Sequence, residues 1–325
     1  MSQRQTNRRD FLKGSALAVV AGAIQSGAAP LGQAGEAAKM HPVRLGGPVF
    51  DAPQDPEALA LAHRKLGYRA AYCPGVALDD KERIRDVSKA FAKHDVVLAE
   101  VGRWCNLLDA DAAKRSANLK TVTEGLALAE AIGARCCVDI AGSYNRQFWY
   151  GPHPENLSRR FFDEAVENAR KIIDAVKPQR AKFAYEMMGW SLPDSADAYL
   201  RLIKAVDREA FAVHLDPCNL VNCPVRFYRN TDLLNECFDK LGRWIVSCHA
   251  KDLTWDVEMN VHFREVTLGT GSLDYATYLR RLAARVPSGC GDVPLMIEHM
   301  QGPEEYDKSR RYLLDLGPKV GVSFG

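Results

Sequence analysis

Surplus charge of either sign is missing from this 325-residue chain, in which 43 lysines and arginines face 41 aspartates and glutamates. A formal charge of +2 argues against a nucleic acid or an anionic membrane as partner. The main body shows no repeat with a period of about 20–50 residues and no low-complexity tract, so solenoids and disordered arrays drop out. A Gly-rich phosphate-binding turn is lacking too. Gly46-Gly47-Pro48 is not G-x-G-x-x-G and no Walker-type loop is present, which leaves nucleotide binding without support. Paired cysteine spacing is also lacking. The nine cysteines are scattered and odd in number, and Cys136-Cys137 and Cys218/Cys223 do not make a zinc knuckle. They read as mostly buried thiols rather than a disulfide framework.

What is present is a globular composition, 47% hydrophobic and 26% charged, able to bury a full core. The N-terminus stands apart. Arg8-Arg9 with Phe11-Leu12-Lys13 behind it precedes a modestly apolar run, Ser15 to Ile24, and then small residues. This resembles a twin-arginine (Tat) export signal, with cleavage expected after Ala28 or Ala34 and a periplasmic or secreted destination. The run is too short for a stable membrane span. The expected division is a signal and linker over 1–38 and one domain over 39–325.

Within that domain, short apolar runs alternate with segments of helical period. The strands are expected at Val43–Phe50, Ala70–Pro74, Val96–Gly102, Arg135–Ala141, Lys182–Glu186, Phe211–Asp216, Ile245–His249 and Pro294–Glu298. Helices are expected at Pro56–Leu66, Asp80–His94, Asp111–Ile132, Leu157–Val176, Ser195–Val206, Thr231–Leu241 and Tyr275–Val286. This α/β alternation predicts a (β/α)8 TIM barrel rather than an open sheet. The long segments after strands four and seven, Gly142–Asn156 and Lys251–Ser272, should then overhang the mouth, where substrate contacts sit.

Four of the strands end in residues that ligate metals: Glu186, Asp216, His249 and Glu298. Barrel closure would bring three carboxylates and an imidazole to one mouth, an oxygen-rich set suited to a divalent cation. His214 shares parity with Asp216, and Lys251 with His249, so both should point inward. For His214 a ligand-orienting hydrogen bond and simple barrel filling both stay open. For Lys251 a substrate contact and a salt bridge do.

Taken together, Tyr185-Glu186, His214-Leu-Asp216-Pro-Cys-Asn219, Cys248-His249-Ala-Lys251-Asp252, Leu268-Gly-Thr-Gly-Ser-Leu-Asp274 and Ile297-Glu298 resemble the sugar phosphate isomerase/epimerase family of xylose isomerase-like TIM barrels. The resemblance implies that Glu186, Asp216, His249 and Glu298 hold Mn2+, Co2+ or Mg2+, with Zn2+ less suited. Glu186 and Glu298 would also face the reacting carbon from opposite sides. One would take a proton alpha to a carbonyl, giving a metal-stabilised enediolate, and the other would return it. Trp104, His214, Asn219, Lys251 and Arg264 are the candidate substrate contacts. Asn219 departs from the histidine of ketose 3-epimerases, and their substrate arginine falls near Arg264 or Glu265, which puts a simple free ketose in doubt. The extra histidines of an endonuclease IV-type zinc site are missing from strands two and three.

The expected function is therefore a metal-dependent isomerase or epimerase of an unphosphorylated keto-sugar. The alternatives are a lyase, such as one eliminating the aglycone of a 3-keto-glycoside or a dehydratase, and a sugar-binding barrel without turnover. The partner is a small sugar or glycoside; homo-oligomerisation is open.

Overall fold

The computed structural model describes residues 40–284 and 293–325. The candidate export signal and the end of the helix expected to reach Val286 lie outside the described residues. Eight parallel strands close into a barrel: β1 (Arg44–Gly46), β2 (Ala70–Tyr72), β3 (Val97–Gly102), β4 (Cys136–Asp139), β5 (Lys182–Glu186), β6 (Phe211–Leu215), β7 (Ile245–Ala250) and β10 (Pro294–Ile297), with β10 hydrogen-bonded to both β1 and β7. Seven of the helices match the expected segments: α1 (Pro56–Lys65), α2 (Lys81–Lys93), α3 (Ala112–Ile132), α4 (Arg159–Val176), α5 (Ala196–Val206), α7 (Asn230–Leu241) and α8 (Tyr275–Ala283).

The side-chain alternation explains why β5 and β6 sit as they do. Phe183, Tyr185, Phe211 and Val213 face outward into the main core, where Phe183 and Tyr185 meet edge to face at 5.1 Å. Tyr199 of α5 donates its hydroxyl to the Tyr185 and Ala212 carbonyls, bolting helix to barrel. The intervening positions, Ala184, Glu186 and His214, point into the barrel. Between β6 and β7 the register shifts, the partner of Val213 being Ile245 and that of His214 being Ser247.

Four features differ from expectation. β1 is three residues rather than eight, and the chain then turns at Phe50-Asp51 with Asp51 in the left-handed region. The long segment after β7 is no irregular loop but an antiparallel hairpin, β8 (Asp252–Trp255) with β9 (Phe263–Val266). A short helix, α6 (Pro224–Tyr228), and a last helix, α9 (Gly302–Lys319), fall outside the expected segments. Pro303 and Pro318 at the two ends of α9 mask its period.

Candidate metal centre

The four expected ligands do converge. One donor atom each from Glu186, Asp216, His249 and Glu298 lies within 4.8 Å of the others, in a set that is buried apart from the partly exposed Glu298. His249 Nδ1 stands 2.9 Å from Glu298 Oε2, 3.2 Å from Glu186 Oε1 and 3.5 Å from Asp216 Oδ2. Its other nitrogen, Nε2, lies 3.2 Å from Glu100 Oε1. Glu100 thus accepts the Nε2–H and leaves Nδ1 as the nitrogen that faces the carboxylates. Ser247 Oγ donates to Glu100 Oε2 at 2.9 Å and fixes that carboxylate in turn.

Lys251 is drawn into the same cluster. Its Nζ lies 2.8 Å from Asp216 Oδ2, 2.9 Å from Glu298 Oε2 and 3.4 Å from Glu186 Oε1. Asp216 Oδ2 and Glu298 Oε2 are nonetheless buried oxygens that accept no well-formed hydrogen bond. Three carboxylates face the charged His249 and Lys251, so negative charge remains in excess. The donor types and the surplus of carboxylate oxygens fit a divalent cation.

The field of the site separates its two flanking acids. Burial pushes Glu186 up to about 7, only partly offset by Lys251 and His249. Burial acts on Glu298 in the same sense, but His249 and Lys251 outweigh it and hold that carboxyl below the usual range. His249 and Lys251 are held charged, because the surrounding carboxylates outweigh the burial that opposes their charge.

The expected substrate contacts fare unevenly. Trp104 and Asn219 line a cavity of about 1000 Å3 whose lining also includes Glu186, Lys251 and Glu298. The Trp104 ring centre is 6.3 Å from that of His249. Asn219 Nδ2 donates to Glu186 Oε1 at 3.1 Å, so it orients a candidate ligand. Arg264 lines the cavity, but Asp256 engages its guanidinium at 2.8 Å. His214 corrects the expectation: it is fully buried beneath the cluster, edge-on to His249 at 4.1 Å, and does not line the cavity. Lys251 pairs with three acids but not with Asp252, which is satisfied by backbone amides. Glu100 went unrecognised in the sequence. Its only signal there is a lone acid inside the apolar run of β3.

The family model described as "Xylose isomerase-like TIM barrel" matches residues 61–316. This chain belongs to that family. No curated protein matches it by sequence. Among solved structures, a xylose isomerase-like TIM barrel protein from Mycobacterium smegmatis in complex with magnesium is similar at 19% identity and a TM-score of 0.58, covering 88% of this chain and 99% of that one. The 3-keto-D-glucoside 4-epimerase of E. coli is similar at 13% identity and 0.57, covering 84% and 98%. Endonuclease IV from Thermus thermophilus follows at 14% and 0.60, covering 85% and 98%. Likenesses this distant establish the barrel and nothing finer. No helix among the described residues is long and apolar enough to cross a membrane.

Proposed function

We propose that this member of the family is a divalent-metal-dependent isomerase or epimerase of a keto-sugar, working by proton abstraction next to a carbonyl. The observation that carries the reading is the meeting of Glu186, Asp216, His249 and Glu298, two of which, Glu186 and Glu298, line one cavity. Mn2+, Co2+ or Mg2+ held by these residues would supply Lewis acidity where charge develops on the carbonyl oxygen. Glu186 and Glu298 are the two groups placed to take a proton from carbon and return it. Asn219 holds Glu186 in position through its 3.1 Å hydrogen bond. Lys251 offsets part of the charge of the cluster, and the Trp104 indole lies beside His249.

A phosphorylated sugar is disfavoured by the cavity itself. Its two lysine or arginine side chains, Lys251 and Arg264, are already engaged by carboxylates. The activity named for one similar structure, a 3-keto-D-glucoside 4-epimerase, is of the same kind. A second reading, a lyase that eliminates the aglycone of a keto-glycoside, uses the same proton abstraction and is favoured by a cavity larger than one sugar ring. Export through the twin-arginine route, proposed from Arg8-Arg9 and the run behind it, suits an unphosphorylated substrate.

The test is exchange of a substrate C–H proton with deuterated water, followed by NMR on keto-sugars and oxidised glycosides with each metal added separately. Exchange should require metal and fall on the order of 10³-fold in Glu298→Gln. Exchange that persists without metal removes the reading. The product spectrum then separates an epimer from a released aglycone.

A further inference from the structure

The cavity lining combines two kinds of chemistry. It is lined by Glu186, Glu298 and Lys251, and also by an aromatic set, Trp149 and Tyr150 from the loop after β4 and Trp190 from the loop after β5. These rings are 38%, 47% and 62% exposed, far more than the tyrosines packed on the barrel. Such apolar surface, gathered inside a concave site, marks a place where a ligand covers it.

The aromatic set is held in place by a buried hub. Asn156, fully buried, donates to the carbonyls of Gly151 and Trp190, each at 3.0 Å, and so ties the two ring-bearing loops together. Ser143 Oγ donates to the same Gly151 carbonyl at 2.7 Å. Trp149 meets Tyr150 edge to face at 5.1 Å. A buried amide fully committed to ordering two loops gives a preformed surface, the condition under which stacking adds most to affinity.

Size and charge narrow the occupant. At about 1000 Å3 the cavity sits at the top of the range for small-molecule sites, and a single sugar ring over the carboxylates leaves the aromatic set uncovered. With Lys251 and Arg264 both engaged, no free lysine or arginine among the described lining residues meets an anionic group there. We propose that the aromatic set is an aglycone subsite: the substrate is a glycoside whose sugar lies over the carboxylates and whose uncharged, planar aglycone stacks against Trp149, Tyr150 and Trp190. This rests on the proposed function only in taking the carboxylates as the reacting groups.

The experiment is titration of the manganese-loaded chain with phenyl β-D-glucopyranoside and methyl β-D-glucopyranoside, followed by tryptophan fluorescence and calorimetry. Neither probe carries a ketone, so binding is read without turnover. The phenyl glycoside should bind about tenfold more tightly, the scale of one good aromatic contact. The ratio should fall to near one in Trp149→Ala and Trp190→Ala, while manganese content stays at the wild-type level and reports an intact fold. A ratio near one in the unaltered protein, or one that survives both substitutions, overturns the subsite. So does concentration-dependent association of the chain that Trp190→Ala abolishes, since the rings would then be covering a second copy. If phenyl preference holds but metal-dependent C–H exchange is absent, the reaction fails and the subsite stands. The reverse pair of results removes the subsite alone.

Discussion

Asp216 and Asp252 are both buried acids at the mouth of the barrel, yet they are used in opposite ways. Asp252 accepts four backbone amides, from Leu253, Gly269, Gly271 and Leu273, at 2.9 to 3.0 Å. Those bonds gather the turn of the Leu268-Gly-Thr-Gly motif, and Gly271 is required because a Cβ there would collide with the carboxylate. Asp216 accepts one weak amide bond, from Asn219 at 3.3 Å, and its Oδ2 faces the Lys251 ammonium at 2.8 Å. A carboxylate filled by the backbone holds the chain together. One crowded by other carboxylates answers to cations, here Lys251 and, in the proposed function, a metal.

The same chemical swap at the two positions gives the largest expected effects and the clearest way to break the comparison. Asp216→Asn should weaken manganese binding by a thousandfold or more, beyond the about 10–100-fold that losing an outer hydrogen-bond partner costs. Its folding midpoint should move little, because the substitution lowers the surplus negative charge of the cluster. Asp252→Asn should do the reverse. It turns an amide toward backbone donors, and stability should fall by about 3 kcal/mol in urea unfolding while the folded protein keeps its metal. Matching readouts from both variants would erase the distinction.

Glu100 sharpens the comparison from below, since it touches the cluster only through His249. Glu100→Gln should reduce manganese affinity by about 10–100-fold, measured by competition with a chelator. An unchanged affinity would make Glu100 a mere filler of the barrel. The smallest effect is expected at His63, a buried polar group with no acids beside it. Burial alone holds its imidazole down to about 4, against an ordinary 6.5, and its Nδ1 has no partner. The unfolded chain therefore binds more protons between those values, so this contribution is complete above pH 6.5 and drains away as pH falls toward 4. His63→Leu should remove about 1 kcal/mol of acid sensitivity at pH 5.5. Identical pH profiles for the two proteins would show that His63 is solvated.

How much of this was legible varies residue by residue. Glu186, Asp216, His249 and Glu298 could be read because each closes an apolar run, and runs of that length form strands whatever surrounds them. Glu100 could not, since it lies inside its run and only closure of the barrel puts it against His249. The hairpin β8–β9 was hidden because its pairing is set across the Asp256–His262 turn and not by hydrophobic alternation. Lys251 was placed inward correctly, but whether its ammonium would meet substrate or acids depended on distances that no spacing encodes.

The order of apolar runs and helical periods, a local property written along the chain, was enough to specify eight strands, their barrel and the four residues offered at its mouth. Which acid is filled by amides, which faces the Lys251 ammonium, and which rings stand exposed beside them came only with the tertiary structure. The physical reason is that unmet hydrogen bonds and uncompensated charge are properties of a neighbourhood, and the neighbours here lie up to 149 positions apart in the chain.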